Sequence, residues 1–170
     1  MSSHDDEIIL ASFPGSRRKS REIALHILYA AEITQDPIQD VIKMTFDRYE
    51  DEETVLQFAR TIIEQTHRER QKIDRYIRDI SANWRFERIA TIDLIIMRIA
   101  INEFLNCFDI PPKVSIDEAL ELSKIYSTEK SSGFINGILD AVLERLENEN
   151  QVVKTGRGRL DHERPPDHPA

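Results

Sequence analysis

The sequence predicts an all-α protein, a single-domain helical bundle of about six to seven helices. Three observations predict it. Apolar residues recur at helical spacing through most of the chain, no stretch alternates polar and apolar positions as a half-buried strand does, and no hairpin dipeptide joins two such stretches. With 170 residues, 32% of them charged and 40% hydrophobic, the chain is large enough and apolar enough to bury its own core.

The elements follow in order. Residues 1–15 are acidic and end in Pro14-Gly15, and read as a disordered N-terminal tail. The folded domain is expected over 16–151. Ser16 is the expected N-cap of a first helix running to about Ile33, with Ile23, Ala24, Ile27, Leu28 and Ala31 as its core stripe. Asp36-Pro37 is a cap followed by a first-turn proline, which starts a second helix that the acidic run Glu50 to Glu53 closes. From Thr54 to about Ile80 the pattern is helical again, and its polar middle, Gln65 to Lys72, leaves open whether this is one helix or two.

Trp84 leads into an isoleucine-rich helix, Phe86 to about Phe104, apolar nearly all round and therefore central. Pro111-Pro112 ends it. Ser115 and Glu118 read as a capping box opening a helix to about Ile125, and a final helix follows Ser131-Ser132 with Phe134, Ile135, Ile138, Leu139, Val142 and Leu146 as its stripe. Within it, Gly137 is expected where two helices approach closely. Residues 152–170 hold three prolines and two glycines without periodicity, and read as a disordered C-terminal tail.

Function classes fall away next. Five glycines form neither GxGxxG nor GxxxxGK[ST], so nothing cradles a dinucleotide or ATP. Ser127 to Lys130 matches S-x-x-K but lacks the companion S-D-N and K-T-G motifs, and the five histidines form no H-E-x-x-H. No enzyme, cofactor or metal site is expected. A single cysteine, Cys107, allows no internal disulfide; the acidic N-terminus is unlike a secretory signal, and no apolar run reaches membrane-spanning length. A cytoplasmic location is the expectation.

Charge is where the sequence speaks. The chain carries a net charge of −8, yet residues 16–33 are net positive and residues 34–53 strongly acidic. Arg17, Arg18, Lys19 and Arg21 crowd the first turns of a helix, where positive charge opposes the macrodipole, so something outside the helix should compensate. On a helical wheel Arg18, Glu22, Leu25 and Tyr29 share a flank turned away from the core stripe. Guanidinium groups near an exposed ring suit single-stranded RNA, phosphates going to the cations and a splayed base to the ring. A solvated charged face with an incidental tyrosine is the alternative. The second basic group, Arg68 to Arg78, is interleaved with acids and reads as a mixed solvent-facing surface, and Phe134 by its pattern alone reads as a core ring.

Three segments, "SRRKSREIALHILYA", "WRFERIATIDLIIMRIAINEF" and "IPPKVSIDEALELSKIYSTEKSSGFINGILD", stand in the order and spacing of the NusB family of transcription antitermination factors, which this chain resembles over most of residues 16–146. The resemblance implies an all-helical fold that binds boxA, a single-stranded element of ribosomal RNA leaders, together with the ribosomal protein NusE. It further implies assembly with NusA, NusG and RNA polymerase. Position by position it implies RNA contacts for Arg17, Arg18, Lys19, Arg21, Tyr29 and Phe134, and contacts to NusE for Tyr29 and Asp93. Lys130 stands where many members carry an acid, and Gly133 where a basic or polar side chain is common. The competing expectations are a self-associating structural domain, which includes a homodimer over the basic helix, and a stand-alone relative of the helical domain fused to ribosomal RNA cytosine methyltransferases.

Overall fold

A computed structural model describes residues 14–82 and 85–159. Six α-helices occur among the described residues: α1 (Pro14–Thr34), α2 (Ile38–Thr45), α3 (Glu53–Ile80), α4 (Thr91–Asn106), α5 (Pro112–Tyr126) and α6 (Glu129–Asn148). Short 3-10 turns sit at Phe46–Arg48, Phe86–Arg88 and Gly156–Arg159. No strand occurs among the described residues, as the periodicity requires. The chain divides into two compact units, Met1–Arg68 and Glu69–Ala170, and α3 is continuous through the division.

That continuity settles the question over residues 54–80. The stretch contains neither glycine nor proline, and its polar middle is rich in Gln, Glu, Arg and Lys, all strong helix formers. Ile62, Ile63, Thr66, Ile73 and Ile77 keep one buried stripe running through it. The helix is about 42 Å long and has no break.

In the first unit α1 packs on α2. Ile23, Ala24, Ile27 and Leu28 are buried, as the stripe predicts, together with Ile38, Val41 and Ile42 of α2. Leu25 is also fully buried, against the expectation that it shares an outward flank with Arg18 and Tyr29. A wheel gives angles about one axis only, and what covers each angle is decided by neighbouring chain. The helix begins at Pro14 and not at a Ser16 cap, and α2 ends at Thr45, giving way to the 3-10 turn well before the acidic run. Ser20, buried, donates its hydroxyl to the carbonyl of Val55 at 2.8 Å and ties α1 to the start of α3.

In the second unit α4, α5 and α6 pack against one another. Residues 93–105 of α4 are all buried, so this is the central helix its composition implies, although it starts at Thr91, after a 3-10 turn at Phe86. Trp84 lies outside the described residues. Arg98, buried within α4, holds Asp74 of α3 through two parallel bonds of 2.7 and 2.9 Å. Arg68, Arg70, Lys72, Arg75 and Arg78 are all exposed, as a mixed solvent-facing surface requires; the acids among them, Asp74 and Asp79, both take arginines of later helices, and Arg78 lies 4.4 Å from the centre of the Phe86 ring.

Two helix starts differ from their predicted form. Helix α5 begins at Pro112, where a missing N–H costs nothing because the first turn leaves that donor unpaired anyway. Ser115 is therefore already inside the helix, and its hydroxyl donates to buried Glu103 at 3.1 Å in place of capping. Helix α6 begins at Glu129, capped by Thr128, whose side chain accepts from the Ser131 backbone N–H. Gly137 has open space where a Cβ would stand, so close helix approach does not explain it.

Residues 152–159, expected as part of a disordered tail, form a strap over the end of α4. Lys154 is buried and its ammonium donates to the carbonyls of Glu103 and Cys107 at 2.9 and 2.8 Å. The Thr155 N–H reaches the Phe108 carbonyl at 2.9 Å, and a Cβ at Gly158 would collide with that same oxygen. Gly156 takes φ +51°, the left-handed region that glycine adopts without cost. No apolar period announces this segment because backbone carbonyls, not side-chain burial, hold it.

Candidate nucleic-acid interface

The cationic start of α1 is built on the ring of Phe58. The guanidinium of Arg17 lies 4.8 Å from the ring centre and that of Arg21, one turn on, 6.0 Å from it. These contacts supply the compensation that the unfavourable helix dipole demands: the first turn of α1 holds no acid, and the negative face of an aromatic ring receives the cations instead. In the sequence Phe58 is one apolar residue of the helical stretch that starts at Thr54, and nothing local marks it as part of the site. The signal that could have found its role is the uncompensated charge itself.

The four cations are not equivalent. Arg18 is exposed, Arg17 and Lys19 are half-buried, and Lys19 makes a long ion pair of 3.9 Å with Glu22. Arg21 is only 3% exposed. Of the four it is the least accessible, and its guanidinium lies against Phe58. Tyr29 is 40% exposed, on the same flank as Arg18 and about 16 Å further along the axis.

The other two predicted residues lie in the second unit, at the starts of α6 and α4. Phe134 is half-buried, in the turn that follows the Thr128 cap. Asp93, in the first turn of α4, is 6% exposed, and both its carboxylate oxygens are engaged: Ser127 donates to one at 2.5 Å and Ser131 to the other at 2.8 Å. Asp93 thus has both oxygens engaged by hydroxyls of its own chain, and the expected partner contact at this position rests on the resemblance alone. Ser127 and Ser131, which sequence reading treats only as helix-start residues, are the partners that the structure reveals. The clustering of hydroxyls in S-T-E-K-S-S is the available clue.

Among the described residues no group of His, Cys, Asp and Glu could hold a metal ion, and no helix is long and apolar enough to cross a membrane. Fold and site together define an all-helical protein whose recognisable chemistry is a cationic, ring-bearing helix surface. A sequence profile of the NusB family matches residues 18–144, and the chain belongs to that family. It is 39% identical over 141 residues to the transcription antitermination protein NusB of Syntrophus aciditrophicus, covering 83% of this chain and 88% of that one. Among solved structures it resembles NusB of T. maritima at 30% identity and a TM-score of 0.69, over 75% of this chain and 90% of that one. The same fold recurs in a structure of NusB and NusE in complex with double-stranded RNA, at 19% identity and a TM-score of 0.69, over 76% of this chain and 97% of that one.

Proposed function

We propose that this protein is a transcription antitermination factor that binds boxA RNA of ribosomal RNA leaders in company with NusE, and that the pair joins NusA, NusG and RNA polymerase in the cytoplasm. One observation carries the reading: Arg17, Arg18 and Lys19 stand at the start of α1, with Tyr29 open on the Arg18 flank of a chain whose net charge is −8. An anionic protein has no general attraction for nucleic acid, so cations gathered at one helix end mark a local contact. The paucity of such cations explains the need for a second protein to hold the strand. Family membership supports the reading, as does the NusE and RNA complex of a protein with this fold. Tyr29 and Phe134, each with part of its ring open, suit stacking on unpaired bases.

The test is a fluorescence titration of boxA RNA with the protein alone and premixed with NusE. Tighter binding by the pair is expected, and Arg18→Glu should weaken it by about tenfold or more while the thermal melt is unchanged. Equal affinity of wild type and Arg18→Glu for boxA would move the RNA contact off α1. Sedimentation of the free protein across concentrations tests the self-association alternative, which requires a mass that rises with concentration and no RNA binding.

A further inference from the structure

We propose that Asp93 is a positioning residue for the start of α6: it holds the Ser127–Ser131 turn, and through it Phe134 and Lys130, in the orientation that meets RNA. The functional half of this proposal rests on the RNA reading above, the other half on geometry.

The turn between α5 and α6 is a single extended residue, Ser127, followed by the Thr128 cap. Such a joint has little to fix its angle beyond side-chain bonds. Here Ser127 and Ser131 stand 2.9 Å apart and flank Thr128, whose hydroxyl lies 3.0 Å from that of Ser131. Each serine hydroxyl carries one proton, while an ionised carboxylate accepts at two oxygens and donates nothing. Asp93 accepts from both hydroxyls, one on each oxygen, and so bridges the two serines across the joint. Asp93 itself is fixed in the first turn of α4. A second link, Ser123 to Ser132 at 2.7 Å, spans α5 and α6 beside the first. Phe134 lies one turn beyond Ser131, and exposed Lys130 stands between the capping threonine and that serine, so rotation of the joint would displace both.

Asparagine is nearly the same size as aspartate but carries an NH2 in place of one acceptor oxygen, so it leaves one serine proton without its partner. Asp93→Asn and the double variant Ser127→Ala/Ser131→Ala should therefore behave alike. Each is expected to weaken boxA binding by the protein–NusE pair about tenfold, the equivalent of one hydrogen bond to a charged group. The triple variant should be no weaker than the worse of the two. Affinity of the double serine variant for NusE without RNA should stay at the wild-type value, and amide hydrogen exchange over residues 129–134 should quicken in all three. Wild-type RNA binding by the serine variant overturns the proposal. So does loss of NusE binding in Asp93→Asn with exchange at 129–134 unchanged, the signature of a direct partner contact. Phe134→Ala separates the two layers: normal RNA binding by that variant defeats the RNA reading of this site, and the exchange comparison still decides whether Asp93 sets the joint.

Discussion

Arg18 and Arg21 are three positions apart on one helix and look alike in the sequence, yet their surroundings differ. Arg18 faces water, whereas Arg21 is buried with its guanidinium directed at Phe58. Replacing Arg21 by glutamate puts an acid where the ring's negative face received a cation, and strands it away from water. The expected loss is on the order of 3–5 kcal/mol of folding stability, read as a fall in Tm. Arg18→Glu should leave Tm nearly unchanged and act on RNA alone. If both variants lose RNA binding with no change in melting, Arg21 is a contact residue and the burial-based assignment is wrong. The cluster was visible in the sequence as four cations; that one of them is buried against Phe58 could not be seen, because Phe58 lies far along the chain, on another helix.

At the scale of elements, helix existence was legible and helix ends were not. All six helices fall where apolar spacing predicts, since that spacing is a property of each segment. The ends moved by a few residues wherever proline or a hydroxyl could play more than one part. Ser115 is a good cap by composition, but Pro112 starts the helix a turn earlier and frees the serine for Glu103. Helix α6 carries two glycines, Gly133 and Gly137, one turn apart, and a methyl group added to either would meet nothing within 4 Å. Neither has a positive φ, so alanine fits both. Gly133→Ala and Gly137→Ala should each stabilise the protein by about 0.5–1 kcal/mol, measured by denaturant melts. A destabilised variant would mean that some neighbour closes on that face of α6.

Over the whole molecule, charge and burial set the response to salt and pH. Three cations reach solvent at the start of α1, so RNA binding by the protein alone should fall with salt at a log–log slope of about −2, small for a nucleic-acid binder. A slope steeper than about −4 would reveal phosphate contacts beyond this helix. Lys154 contributes on the alkaline side. Burial pushes its ammonium below the ordinary 10.5, against the opposing pull of Cys107, Glu103 and Asp109. Between the lowered value and 10.5 the unfolded chain holds the proton more firmly than the folded one, so this residue makes stability rise with pH there and fall as pH drops through that window. The unfolding free energy of wild type minus that of Lys154→Met, followed from about pH 8 upward, should therefore slope upward with pH. A flat difference would show that the strap does not bury the charge.

The sequence by itself determined that the chain is helical, which segments are helices, that its charge is concentrated at one helix start, and which family it belongs to. Each of these is written in composition and in spacing along one segment. Tertiary structure alone decided which side chains on those helices are covered: Leu25 in the core, Arg21 against Phe58, Asp93 bound by two serines, Lys154 sealed over the end of α4. Burial and hydrogen-bond partners are properties of pairs brought together from distant positions, and no local period encodes which partner arrives.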